Sequence, residues 1–164
     1  MTATYEKIAS TTLSSAAATV TFSSISSAYT DLVIIAQMKN SGSGGDLLAY
    51  FNSDNGSNYS RTIIGGTGSS SYSAMSTNAS HARFNYSEPI NSDGNTVFRI
   101  NIQNYSNTTT FKTTISRGDR SANSTVVMVN LWRSTSAINN IQFFTDATNF
   151  ASGSIITIYG IKAE

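Results

Sequence analysis

Apolar and polar side chains alternate with a period of two residues along much of this chain. In the stretch TVFRINIQN at residues 96–104, Phe98, Ile100 and Ile102 share one face, and polar side chains occupy the other. The stretches DLVIIAQMK, STVVMVNLW and GSIITIYGIK follow the same period. Successive side chains of a β-strand point to opposite faces, so this pattern predicts strands rather than helices.

Turn-forming clusters separate these stretches. They include NSGSGG, NSDNGSN, GGTGSSS and SRGDRSAN, in which Gly supplies positive φ and Asn, Asp and Ser bond back to their own backbone. No window shows the capped amphipathic pattern of a helix. We therefore predict an all-β chain of about ten short strands, folded as an antiparallel sandwich or barrel. Within STVVMVNLW, Val127, Val129 and Leu131 fall on one face.

The chain of 164 residues is long enough to bury its own core as one domain. We assign residues 16–164 to a single β-sandwich domain and read residues 52–78 as a hairpin with long loops inside it. Residues 1–15 are predicted to be an N-terminal docking arm or a swapped edge strand, anchored by Tyr5 and Ile8, because an exposed sheet edge invites such pairing.

The charge balance argues against several classes of partner. Only 12% of the residues are charged, and the formal net charge is +1, so a basic surface for nucleic-acid phosphates is not expected. No apolar run approaches the roughly 20 residues that span a bilayer, so no membrane role is expected. The chain has no cysteine. The N-terminus lacks the pattern of a signal peptide, so we expect synthesis in a cytoplasm.

Residues suited to catalysis are sparse. His81 is the single histidine, so one chain cannot build a catalytic triad or a multi-histidine metal site. Most carboxylates fall in turn clusters, where Asp has a structural role. The turn DNGSN at residues 54–58 resembles part of a calcium loop but lacks the series of carboxylates and the closing Glu. We predict no enzyme activity, no cofactor and no metal, and we leave a calcium ion held by loops open.

Aromatic side chains are the better candidates for recognition. Tyrosine and tryptophan supply rigid contact area at low entropic cost. Tyr59, Arg61 and Tyr72 lie in or beside the segment rich in turns, and Trp132 ends the stretch STVVMVNLW. We predict that these four side chains contact a partner. Strand aromatics such as Phe98 are expected to pack in the core.

Three short motifs resemble a group of small bacteriophage virion proteins: the stretch YFNSDNGSNYSRTIIGGTGSSS, the stretch LWRSTSAI, and the closing stretch NFASGSIITIYGIKA. The matching positions are Phe51, Asn52, Gly56, Ser57, Asn58, Tyr59, Ser60, Leu131, Trp132, Arg133 and residues 159–162. The resemblance implies a jelly-roll-like β-sandwich that decorates the head or forms a domain of a tail fibre, with homotrimers expected. It carries over no catalytic residue.

The sequence is compatible with three functions. The first is a structural protein of the virion, a capsid decoration or cement protein that binds the major capsid protein and copies of itself. The second is a receptor-binding module of a tail fibre that recognises a glycan of the host surface. The third is an enzyme acting on surface polysaccharide, and the scarcity of catalytic groups makes it the weakest. We predict the first.

Overall fold

The computed structural model describes residues 4–42, 44–86, 89–92, 96–120 and 124–162. These residues form twelve strands and no helix. The strands are β1 (Tyr5–Thr12), β2 (Thr19–Phe22), β3 (Asp31–Met38), β4 (Leu47–Phe51), β5 (Tyr59–Gly66), β6 (Ser71–Ala79), β7 (Ala82–Arg83), β8 (Thr96–Gln103), β9 (Lys112–Arg120), β10 (Ser124–Trp132), β11 (Ile141–Thr145) and β12 (Ile155–Ile161).

The strands pair into two antiparallel sheets. The larger sheet has eight strands in the order β1-β12-β3-β8-β9-β10-β5-β6, and the smaller has four in the order β2-β11-β4-β7. The predicted antiparallel β-sandwich is therefore confirmed. The jelly-roll-like topology stays a prediction. The predicted hairpin within residues 52–78 is also present, as the pair β5 and β6 with Gly66 opposite Ser71.

The hydrophobic core lies between the two sheets. On the larger sheet, β3 and β8 contribute inward side chains such as Ile34 and Phe98, both fully buried. On the smaller sheet, Leu47, Phe51 and Phe143 meet them and are at most 1% exposed. In β8 and β10 every second residue is buried, as the period of two requires, and the buried apolar residues form a large cluster and a smaller one at Ile63, Val126 and Met128.

A buried amide joins β10, inside the larger sheet, to β7 at the edge of the smaller sheet. Asn130 lies on the inward face of β10 and is 1% exposed. Its Oδ1 accepts a hydrogen bond from the backbone N–H of Arg83 (3.1 Å), and its Nδ2 donates to the backbone oxygen of Arg83 (3.0 Å). Nδ2 also donates to the hydroxyl of Thr114 (3.2 Å). Because Arg83 belongs to the edge strand β7, one side chain replaces the ladder bonds that this strand would otherwise lack.

The segment predicted to be an N-terminal arm forms β1, the edge strand of the larger sheet. It pairs with β12 of the same chain, with Tyr5 opposite Ile161 and Thr12 opposite Ile155. A bulge interrupts the register between Lys7 and Ala9. Residues 1–3 of the predicted arm lie outside the described residues.

Candidate interaction surface

One face of the larger sheet is not covered by the smaller sheet. Along β10, Val126, Met128 and Trp132 point into the core, so Val127 and Val129 point away from it. The sequence correctly places Val127, Val129 and Leu131 on one side of the strand. The structure shows that this side is turned away from the core.

The uncovered side is rich in apolar side chains. We call it the outer face, and its exposed apolar residues are Ile64 (63% exposed), Met75 (75%), Val97 (42%), Ile115 (47%), Val127 (43%) and Val129 (43%), with Leu131 half-buried beside them.

The strand register makes these residues neighbours. Ile115 of β9 lies opposite Val129 of β10, and Val127 of β10 lies opposite Ile64 of β5. Two shallow depressions open on the same face, one beside Met75 and Val129 and the other beside Ile115 and Val127. The outer face therefore carries an apolar cluster across β9, β10 and β5, while Val97 lies opposite Asp119 and Met75 lies opposite Thr62 at its margins.

Few charges interrupt the patch. Arg117 and Asp119 are both exposed on β9 and form an ion pair at 3.7 Å. Arg99 of β8 lies directly opposite Arg117. The Arg99 guanidinium donates a hydrogen bond to the Tyr5 hydroxyl (3.3 Å). Like charges side by side on neighbouring strands repel, and Asp119 compensates part of this repulsion.

A second polar cluster lies at the edge where β4, β7 and the end of β11 meet. Arg83 forms ion pairs with Asp46 and Asp146, each at 3.2 Å. The amide of Asn85 donates to Asp46 (2.7 Å). Burial raises the pKa of Asp46 to about 6, although Arg83 and Asn85 act in the opposite direction. The two carboxylates and one guanidinium thus fasten three segments of backbone together.

His81 lies beside this cluster and packs edge-on against Phe144, with ring centroids 5.9 Å apart. Burial lowers the pKa of His81, and the neighbouring Arg61 and Arg83 lower it further. Among the described residues, neither His81 Nε2 nor Arg61 Nη1 has a hydrogen-bond partner. The imidazole is therefore favoured in its neutral form near pH 7.

The turn at residues 54–58, which resembles a calcium loop in sequence, is held by hydrogen bonds. Asp54 accepts from Trp132 Nε1 (2.6 Å), from the backbone N–H of Gly56 (2.9 Å) and from Asn58 Nδ2 (3.0 Å). Burial raises the pKa of Asp54, but these three donors outweigh it and the pKa lies below its usual value. The part of the chain described here holds no group of three or more His, Asp or Glu that could bind a metal ion.

Two of the predicted contact residues lie in the core. Tyr59 is 1% exposed and Trp132 is 2% exposed. Their rings stack at 6.4 Å, and Phe51 packs against both. Both belong to strands and point inward, and their contact with a partner stays a prediction. Their surroundings give them a packing role.

The other predicted contact residues are partly accessible. Arg61 is half-buried beside Arg83, and burial lowers its pKa. Tyr72 lies over Gly65 and donates its hydroxyl hydrogen to the backbone oxygen of Tyr86 (3.1 Å).

The two anchors predicted for the arm lie on β1. Tyr5 is 47% exposed and meets Tyr159 edge-on. Ile8 is partly buried against the core. The structure brings Tyr5 next to the outer face through Arg99, whereas Ile8 points to the core side. Their contact with a partner stays a prediction.

The reasoning from sequence missed the outer face, although a signal was present. The run VVMV at residues 126–129 is apolar at every position. A strand with one face in solvent alternates, and an unbroken apolar run is typical of a strand covered on both faces. The run therefore predicts that both faces of β10 are packed against other residues.

None of the described residues form a helix of the length and hydrophobicity needed to cross a membrane. Comparison with protein-family models found no match, and comparison with curated proteins found none of significant similarity.

Proposed function

We propose that this chain is a non-enzymatic structural protein of a bacteriophage particle, a capsid decoration protein that stabilises the head lattice. Its partners are the major capsid protein and copies of itself, with a homotrimer as the expected assembly. Its place of action is the virion, after synthesis in the host cytoplasm. The jelly-roll-like topology implied by the resemblance belongs to this proposal.

The observation that supports adhesion as the function is the outer face. Six exposed apolar side chains lie on five neighbouring strands of one sheet, and four of them, Ile115, Val129, Val127 and Ile64, are paired across β9, β10 and β5. Contiguous apolar patches on proteins that act alone reach roughly 300–600 Å², and larger ones mark interaction sites. The chain carries few charges and exposes several β-branched side chains to solvent. Such a surface is suited to binding another protein.

Decoration would stabilise a lattice through mass action. A protein that binds the assembled state and not the separated subunits adds RT ln(1 + [L]/Kd) to the stability of each joint. Repetition over many joints makes a modest contact effective. The nearly neutral surface suits dense packing, since a surface of one charge sign would repel its own neighbours.

The test uses purified protein and heads of the encoding phage that lack it. We expect binding at a fixed ratio to the major capsid subunit and an increase in the melting temperature of the particle. Immunogold labelling should mark heads rather than tails. Absence of binding to heads, together with saturable binding to host cells or glycans, would overturn the proposal in favour of a receptor-binding module.

A further inference from the structure

We infer that the outer face of the eight-stranded sheet is the contact between copies of this chain. The inference rests on the proposed function and names the surface that each copy presents to another. Because the same face meets itself, this contact forms a two-fold dimer, which differs from the homotrimer that the resemblance implies. That assignment leaves the remaining surfaces for the capsid. Size, side-chain chemistry and charge of the patch support this inference.

The size of the face matches what a stable contact needs. Five strands, β8, β9, β10, β5 and β6, with about 4.8 Å between neighbours and a length of about 25 Å, present roughly 600 Å² in projection. A standard protein interface buries about 800 Å² of accessible surface on each partner. The accessible area of a pleated surface exceeds its projected area, so these five of the eight strands offer an area of the same order as a standard interface.

The side chains of the outer face are better suited to packing against another β-sheet than to binding a peptide or a small ligand. The depressions on the face are shallow, and Val127, Val129 and Ile115 offer short, stiff side chains at the spacing of a pleated surface. Two such faces can interdigitate as the two layers of a β-sandwich do. A second copy offers the same branched side chains at the same spacing.

The face carries charges of both signs: two arginines, Arg99 and Arg117, and one aspartate, Asp119. Arg117 and Asp119 lie two residues apart on β9, so the patch carries both members of an ion pair. A second copy presents the same two charges, and the arginine of each copy can pair with the aspartate of the other. A strongly acidic partner would leave Asp119 opposed by like charge, and a strongly basic one would do the same to Arg117 and Arg99. The second copy is therefore the favoured occupant.

The first experiment measures association of the isolated protein by sedimentation equilibrium, without capsids. Wild type should form an oligomer at micromolar concentration, and the same data give the number of copies. Val129→Lys places a charge at the centre of the patch and should weaken association at least about a hundredfold, because burying an unpaired charge is costly. The matched control is Thr19→Lys, on the exposed side of the smaller sheet, which should associate like wild type.

The second experiment does not depend on how Val129→Lys folds. The chain has no cysteine, so a single introduced cysteine takes a nitroxide label at one site. Labels at Thr125→Cys, on the outer face, should lie close together in the oligomer. Labels at Thr19→Cys should be separated by about 30 Å or more, because two sandwiches stacked through their larger sheets give four layers with about 10 Å between layers.

A wild type that stays monomeric at every concentration would overturn the inference. So would a Val129→Lys variant that keeps its β-sheet circular dichroism and associates as tightly as wild type, or label distances in the reverse order. If the protein still binds capsids, these results would leave its role in decoration standing and would remove only the contact between copies. Failure to bind capsids would in turn leave the association between copies intact.

Discussion

Replacement of Trp132 by Phe tests whether a core indole holds the turn at residues 54–58 in place. Trp132 is 2% exposed, and its Nε1 donates to an oxygen of Asp54 at 2.6 Å. Phe keeps an aromatic ring against Tyr59 but cannot donate. A hydrogen bond to a charged group contributes about 1.5–3 kcal/mol, and the smaller ring removes some packing. We expect the free energy of unfolding to fall by about 3 kcal/mol.

A double-mutant cycle separates the hydrogen bond from the packing. Asp54→Asn removes the charge while keeping the size of the side chain. If the indole and the carboxylate interact directly, the two changes together should cost less than their sum, by at least about 1 kcal/mol. The packing loss appears in both backgrounds and cancels in the cycle.

Acidification provides a second readout of the same contact. The folded-state pKa of Asp54 lies below its ordinary value of 3.8. Its stabilising contribution is therefore present above that ordinary value and is lost as the pH falls through the lower folded value. Trp132→Phe removes one of the donors that lower this pKa. We expect the variant to lose less stability than wild type on acidification.

The assay is urea unfolding followed by far-UV circular dichroism, because Trp132 is the single tryptophan and its variant has no indole fluorescence. A coupling energy of zero within error would show that the indole and the carboxylate do not stabilise each other. A Trp132→Phe variant as stable as wild type would contradict the expected loss.

Two further changes test other parts of the fold. A Cβ at Gly160 would lie 2.3 Å from the ring of Tyr29, so Gly160→Ala should cost about 1–3 kcal/mol in thermal unfolding. Gly66→Ala, whose nearest neighbour would be at 3.4 Å, serves as its control and should be nearly neutral; equal effects would contradict the argument. Asp46 has a folded pKa of about 6, above its ordinary 3.8, so the folded state holds the extra proton between these values. The free energy of unfolding should therefore fall as pH rises through this window, by at most about 3 kcal/mol, and Asp46→Asn should abolish that fall. A wild-type profile that rises relative to that of the variant would be inconsistent with a raised pKa.

The motifs that carry the resemblance to virion proteins have structural roles in this fold. The first two come together in space, although residues 72–130 separate them in the chain. Trp132 bonds to Asp54, and the backbone N–H of Arg133 donates to the backbone oxygen of Asn58 (2.8 Å). In the third motif, Gly160 leaves room for the ring of Tyr29. These residues fix contacts between distant segments of the sandwich. The similarity of the three motifs to virion proteins therefore concerns the fold more directly than the function.

Tyr59 and Trp132 show a limit of residue type as a guide to contact residues. Both lie next to turn clusters, and tyrosine and tryptophan are common in interfaces. Both point inward, since Trp132 shares the face of Val126 and Met128, and Tyr59 shares the face of Ile63. Residue type cannot distinguish an interface ring from a core ring. Only the side of the strand on which it lies can do so.

The sequence by itself determined that the chain is all β, where most strands lie, and which side chains share a face, because these properties depend on neighbours along the chain. The tertiary structure alone decided which face is buried. In β10 both faces are apolar. Val126 and Met128 are buried in the core, whereas Val127 and Val129 are exposed on the outer face. That choice follows from where the smaller sheet packs and from pairings between distant segments, such as β1 with β12. A period of two places residues on opposite sides of a strand, but it contains no information about which side another sheet will cover.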